Sequence, residues 1–535
     1  MNDSPKAEEE NSKLAPNLEA GLASSLFDYL LHNEDVPPER RIFVNRTLRM
    51  ESIHYVGFDL DWTLADYERI PLEQLTFELA TERLIAHHGY PEEIRKAAFR
   101  PNFPRRGLLI DKEAGTVLRM NRHRFVNLAY HGRRRLDRGD LKRLYRYEPI
   151  RPSSDRFYHL DSLFELPEAN LYSELIEMSN LTNDLSLPST WQIFDDLRAA
   201  IDWVHAEGAL KSQVLADPAR YLKRDPEVGL ALLRLALGGR RLFLLTNSDW
   251  SYASFVCSFL FDGLLPGLNS WRELFDLVLV ESGKPRFFRQ ERQFLELNPD
   301  GQQIEAVDVP TWGGIYSQGS LTGLMQLINE PGEHVLYIGD HIYGDIVSSK
   351  LESTWRTTLI VRELENEIQQ RATIEDELLK GRELRRQLAQ LGHEMDHLRD
   401  VLLLYRHLLE QGAELPSEPL QALQERTKLV TKRHRQVLRE EAEWADQTAQ
   451  HFDTYWGSFF KQGTSKTRFA AQLETYACLY TSRVSNFSFY GSNRYFRVAS
   501  DPMMHELASY SKSKNSPNLD PTDSSRAIDD ERSNG

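Results

Sequence analysis

Phe58-Asp59-Leu60-Asp61-Trp62-Thr63-Leu64 closes an apolar run (Ile53, Tyr55, Val56, Phe58) and sets two carboxylates two residues apart at its end. The run predicts a buried strand, with Asp59 and Asp61 standing where that strand gives way to a loop. Side chains at i and i+2 of an extended segment share a face, so both carboxylates can address one reacting centre. One can attack while the other moves a proton. An isolated Asp-x-Asp more often marks a solvated turn, so the reading depends on what else the chain brings.

Four further segments decide it. Arg241-Leu242-Phe243-Leu244-Leu245 delivers Thr246-Asn247-Ser248-Asp249, and residues 274–280 lead to Lys284-Pro285. Residues 334–338 end in Gly339-Asp340-His341-Ile342-Tyr343-Gly344-Asp345, and residues 355–361 read as a fifth strand. Helix-compatible sequence lies between them. This is the pattern of an α/β protein with an open, mainly parallel sheet and its site at the carboxyl ends of the strands.

The residue types suit phosphoryl transfer. A phosphate dianion repels an anionic nucleophile, so Asp59 needs a divalent cation and fixed positive charge beside it. Mg²⁺ prefers oxygen ligands, and Asp59, a backbone carbonyl near Asp61, and Asp340 make such a set. Asp345 is placed to bind the metal or orient its waters, or else to counter a helix dipole. Thr246, Asn247 and Ser248 offer donors to non-bridging oxygens, and Lys284 a point charge.

In this order, Asp-x-Asp-x-Thr, Thr-Asn-Ser, Lys and Gly-Asp-x-x-x-x-Asp resemble the haloacid dehalogenase superfamily of aspartyl-phosphate phosphatases. The sequence is similar in particular to its cytosolic purine 5′-nucleotidase branch, in Phe58–Tyr67, Arg156–Glu168, Ile201–His205, Gly314–Ser317, Tyr337–Ile346 and Arg468–Gln472. The resemblance covers about residues 40–505 and implies a Rossmann-like core, an inserted cap and Mg²⁺. It implies Asp59 as nucleophile and Asp61 as proton donor that also binds the metal through its backbone oxygen. Asp340 would be the third protein ligand. It carries IMP and GMP recognition to the cap residues Arg198, Asp202 and Lys211, with Phe164 stacking on the base and His205 beside it. Glu165 and Ala206 depart from the family's Asn and Tyr. The branch is activated by ATP and similar nucleotides, transfers phosphate to nucleosides, and forms tetramers built from dimers.

Arg198, Asp202 and His205 fall on one face of a helix that also carries Ile201 and Val204; by spacing alone an Arg–Asp pair at i, i+4 is commonly a surface ion pair.

With 535 residues the chain exceeds a single core. The core is expected over 19–66 and 236–362. A cap is inserted at 67–235, and a smaller cap element or loop at about 286–326. In 363–450 Leu384, Leu388, Leu391, Met395, Leu398 and Leu402 repeat at alternating spacings of four and three, a heptad seam. A break around Gly412 to Pro419 makes this a helical hairpin, packing either on the core or between subunits. Residues 451–510 are expected as a helical part on the core, and 1–18 and 511–535 as loose polar tails.

A net charge of −15 argues against nucleic acid as the general partner. The basic stretch 133–146 runs the other way, as a solvated cap face or a polyphosphate effector site. No apolar run is long enough to span a bilayer and no secretory signal is seen. Cys257 and Cys478 form neither a disulfide framework nor a metal spacing, which fits a reducing cytoplasm. The expectation is a Mg²⁺-dependent purine 5′-nucleotidase. The alternatives are a phosphatase for another phosphomonoester or a non-catalytic interaction protein.

Overall fold

Seven short apolar strands run parallel: β1 (Tyr55–Phe58), β2 (Arg241–Leu245), β3 (Leu277–Val280), β4 (Ile315–Gln318), β5 (Val335–Gly339), β6 (Arg356–Ile360) and β7 (Leu479–Thr481). Their order across the sheet is β7-β6-β5-β1-β2-β3-β4. Antiparallel strands close both edges, Phe43–Val44 beside β7, then Phe294–Leu297 and Gln303–Val307 beyond β4, making a ten-stranded mixed sheet. The computed structural model describes residues 36–499 apart from 182–185, 207, 265–268 and 415; the expected tails 1–18 and 511–535 lie outside the described residues.

β2, β3 and β5 are almost wholly buried, which is why they read as continuous apolar runs rather than alternating ones. In the register, Phe58 lies opposite Leu244 on one side and Ile338 on the other. The residues that follow these strands therefore emerge side by side. Gly57 keeps the strands close: a Cβ there would meet the Phe243 ring of β2 at 2.2 Å.

Between β1 and β2 the chain leaves the sheet. It forms α1 (Arg69–His88) and a five-stranded antiparallel sheet in the order Arg134–Arg135, Val126–His131, Thr116–Met120, Leu108–Asp111, Phe157–His159. The helices α2 (Leu166–Leu181), α3 (Thr190–Ala206) and α4 (Ala209–Ala216) follow. One apolar cluster joins this insertion to the sheet, running from Val56 and Phe58 to Leu175, Leu197 and Val204. α5 (Trp250–Phe261) follows β2, with Asp249 accepting from the Tyr252 amide at its N-cap.

Two segments differ from the sequence expectation. Residues 286–326, expected to cover the site, contribute β4 and two antiparallel strands to the sheet edge; Phe294, Tyr316 and Leu324 are buried in its core. The C-terminal part adds the short helix Arg468–Tyr476 but also β7, the sheet's last parallel strand. Each missed strand is only three to five residues long, too short for a clear period.

The hairpin follows α6 (Glu363–Thr373) as α7 (Glu375–Glu410) and α8 (Ser417–Phe452). The leucine seam packs on α8 of the same chain, Leu384 meeting Val437 and Trp444 with Leu388 and Leu391 alongside. Trp444 fits because Gly381 leaves space for its ring, and its indole donates to Glu377 O at 2.6 Å. Among the described residues no helix is long and apolar enough to cross a membrane.

Candidate active site

Asp59 leaves the end of β1 with its amide donating to Ile338 O of β5 at 2.9 Å and its Oδ1 accepting from the Leu60 amide at 2.8 Å. Lys284, delivered after β3, reaches across and donates from Nζ to Asp59 Oδ1 at 2.8 Å, Asp345 Oδ1 at 2.7 Å and Tyr337 OH at 2.8 Å. Asp345 comes from a single π-type turn, residues 342–347, that follows β5; its Oδ2 accepts from the His341 amide at 3.1 Å. Gly339 permits that approach, since a Cβ there would lie 2.4 Å from Asp345 Oδ2.

Carboxylate oxygens of Asp59, Asp340 and Asp345 lie within 4.8 Å of one another, all buried. Burial raises Asp59 to about 7 against the pull of Lys284, with Asp345 and Asp61 adding to the rise. Burial likewise holds Asp340 well above the usual range, opposed by Arg106 and reinforced by Asp345 and Asp59. Lys284 is raised as well: burial lowers it, but Asp345 and Asp59 outweigh that. All three shifts are upward, in acid and base alike, and report one condition, an excess of negative charge out of water. Asp340 Oδ2 is buried without a hydrogen-bond partner. An all-oxygen set with an unsatisfied lone pair and surplus negative charge fits a hard divalent cation such as Mg²⁺.

Asp61 takes hydrogen bonds on both oxygens, from Tyr67 OH at 2.5 Å and Ser248 Oγ at 2.7 Å. Tyr67 OH in turn meets Tyr252 OH at 2.9 Å. After β2, Thr246 is fully buried, its amide on Leu279 O at 2.9 Å and its Oγ1 accepting from the Ser248 amide at 3.1 Å. Asn247, expected among the donors to phosphate oxygens, has a side chain that brackets two loops. Its Oδ1 accepts from the Lys284 amide at 2.6 Å and Ser282 Oγ at 3.0 Å, and its Nδ2 donates to Lys284 O at 3.1 Å.

A profile of the 5′ nucleotidase family matches residues 42–508. The chain belongs to the 5′ nucleotidase family. It is also 30% identical over 463 residues to a 5′-nucleotidase domain-containing protein of Dictyostelium discoideum, covering 84% of this chain and 72% of that one. As a family member it is a 5′-nucleotidase, a hydrolase of nucleotides.

In this 5′-nucleotidase the insertion directly reaches the segment that follows β1. Phe164 stands edge-on to Trp62 and Tyr67, with centroids 6.0 and 5.9 Å apart, and to His205 at 5.3 Å. Burial, with Arg198 adding, pushes His205 down to about 4, so its imidazole is neutral. Its Nε2 is buried and unpartnered. Arg198 is held by Glu168 at 2.6 Å, Tyr158 OH at 2.8 Å and Asp202 at 2.6 Å. Lys211 on α4 pairs with Asp249; burial would raise that carboxyl, but hydrogen bonds from Lys211 and Ser251 hold it at about 2. Glu165 is used locally, accepting from the amides of Asp161 and Ser162 at 2.6 and 2.9 Å and from Tyr158 OH at 2.8 Å.

Sequence reasoning missed Arg106. It is fully buried, donates to Asp340 O at 2.7 Å and grips Glu363 at 3.0 and 2.6 Å. It also missed the tyrosines 67, 252 and 337. Nothing local signals Arg106 or Tyr252, whose partners are remote in sequence. Tyr67 and Tyr337 lie near Asp61 and Asp345 in the chain, but tyrosines in such runs read equally well as core. The stretch 133–146 carries surface pairing: Arg134 and Arg143 both meet Asp140, at 2.6 and 2.8 Å.

Proposed function

We propose that this 5′-nucleotidase has a haloacid dehalogenase-type core, uses Mg²⁺ and hydrolyses purine nucleoside 5′-monophosphates, IMP and GMP, through a phosphorylated Asp59. The observation that carries the reading is the Asp59–Lys284–Asp345 contact beside Asp340, with Asp61 two residues on. Asp59 attacks phosphorus as the bond to the nucleoside oxygen breaks, and Asp61 gives that oxygen its proton. Asp61 then takes a proton from the water that cleaves the acyl phosphate. Tyr67 and Ser248 fix the direction of the Asp61 carboxyl for both steps. Lys284 keeps Asp59 placed and neutralises charge at the phosphate, with Thr246 as a hydroxyl donor; Asn247 positions Lys284. Asp59, the Asp61 backbone oxygen and Asp340 would hold Mg²⁺, with Asp345 orienting its waters. When bound, the cation withdraws charge from the phosphoryl oxygens.

The insertion acts in this reading as a cap that excludes water over the site. Phe164 offers an aromatic face to the base, and the neutral His205 with its open Nε2 supports a hydrogen bond to a ring atom. Arg198 and Asp202 suit a purine's carbonyl and ring nitrogens, and Lys211 lines the same side. A nucleoside in place of water would give phosphotransfer. Activation by a nucleotide such as ATP, a homo-oligomer and a cytoplasmic setting complete the reading. The two free, buried cysteines fit the last of these.

Phosphate release with Mg²⁺ across IMP, GMP, AMP, CMP, UMP and several sugar phosphates, with Asp59→Asn as blank, tests it. A lead for IMP and GMP is expected. A lead for sugar phosphates would keep the catalytic strand ends and discard the purine pocket, the outcome that Glu165 and Ala206 favour.

A further inference from the structure

The strands that carry Asp59 and Asp340 at their carboxyl ends carry a second cluster at their amino ends. His54 immediately precedes β1, His334 immediately precedes β5, and Glu330 lies four residues before His334. A single oxygen, Glu330 Oε2, meets His54 Nδ1 at 2.6 Å and His334 Nδ1 at 2.7 Å, and the two rings stand 4.7 Å apart. The other carboxylate oxygen accepts from Tyr55 OH at 3.2 Å, which turns Oε2 towards the imidazoles. One ligand-capable atom from each of the three residues falls within 4.8 Å of the others.

These side chains stand on fixed backbone. The His54 amide donates to His334 O at 2.9 Å, the Arg241 amide to His54 O at 3.0 Å, and the His334 amide to Pro331 O at 3.0 Å. The side chains themselves are open, at 47% exposure for His54, 33% for Glu330 and 28% for His334. An exposed His–Glu pair contributes little to stability, and such a pair does not require two imidazoles from separate strands to meet on one oxygen. Two imidazole nitrogens and one carboxylate oxygen with a solvent-facing fourth side form the donor set of zinc-class ions, whereas Mg²⁺ takes oxygen alone. With metal–ligand distances of about 2.0–2.1 Å, the three atoms would need to stand only roughly 0.7 Å further apart than their hydrogen bonds now hold them. Half-exposed side chains on a rigid base can make that movement.

We propose that His54, Glu330 and His334 form a binding site for a late first-row divalent ion of the zinc class, separate from the Asp59, Asp340 and Asp345 set. Bound there, the ion staples residues 330–334 to the amino end of β1 and so joins the two strands that carry the catalytic carboxylates. Tyr55 is the positioning residue, acting through Glu330 as outer-shell partners of metal ligands do.

The test uses the full chain, stripped with chelator and kept in excess Mg²⁺ to occupy the all-oxygen set. Co²⁺ is added and followed by visible absorption. Intense bands of nitrogen-coordinated, low-coordinate Co²⁺ are expected to saturate at one ion per chain and to disappear on adding Zn²⁺, with a rise in Tm. His54→Ala/His334→Ala removes both signals and leaves Mg²⁺-dependent phosphate release unchanged. Should that variant fail to fold, Glu330→Gln keeps the shape and also loses the bands. Tyr55→Phe weakens Co²⁺ binding about tenfold. Only the faint spectrum of oxygen-coordinated Co²⁺, or bands that survive in the ligand variants, would overturn the site and leave a hydrogen-bonded cluster.

Discussion

The two halves of the candidate site are built in different ways. The half proposed for the phosphate is assembled from the ends of four adjacent parallel strands and tied together by Lys284, which touches Asp59, Asp345 and Tyr337 at once. The half proposed for the base lies on helices of the insertion. There Arg198 is held by Glu168 and Asp202, Lys211 is held by Asp249, and His205 Nε2 is left open. Strand register fixes the first half, and side-chain pairing between helices fixes the second. The first half should therefore govern chemistry and the second selectivity.

That division can be broken by mutation. The largest effect is expected from Asp59→Asn, which should lower kcat by at least about 10,000-fold while the chain stays folded; appreciable phosphate release would sink the covalent mechanism. Lys284→Met comes next, lowering kcat by about 100- to 1,000-fold. It should also lower Tm, since two buried carboxylates lose their cation, a change of about 3–5 kcal/mol. A variant that lost only affinity would erase the distinction between the halves.

Arg198→Ala should act on the other side of the divide. A rise in KM for IMP of about tenfold, with kcat nearly kept, is the expected steady-state result. An equal loss in kcat would move Arg198 into the chemistry. The smallest effect concerns His205, whose imidazole sits at about 4 in the fold against 6.5 ordinarily. The unfolded chain takes the proton first, so this group's contribution is intact above 6.5 and lost as pH falls from there through about 4. His205→Phe should therefore flatten the fall in Tm between about pH 7 and pH 5. Parallel wild-type and variant curves would mean that the ring is not held neutral.

The same division explains what could be read from sequence. Asp59, Thr246, Lys284 and Asp340 were legible because each follows an apolar run, and in a parallel sheet the ends of such runs converge. The strand order was not legible, because it depends on pairing between residues far apart, such as Val56 with Leu336. β4 was hidden by its brevity and by the flanking Gly313, Gly314 and Gly319, which mimic a loop. Arg106 was hidden for another reason: an arginine in an inserted segment carries no mark that it will lie beneath Asp340. For Asn247 the motif gave the place but not the side-chain contact, which is with the Lys284 backbone.

The strand order also sets a timetable for biosynthesis. β1 is the earliest of the parallel strands to leave the ribosome, yet it lies in the middle of the sheet, and its neighbour β5 comes only after the insertion, β2, β3 and β4. At about 5–20 residues per second, one edge of an apolar strand waits on the order of tens of seconds for its partner. During that interval it is a template for wrong pairing. Nascent chains halted before Val335 should accordingly need a chaperone to stay in solution, and their free solubility would show that the newly made strand is sheltered by the insertion instead.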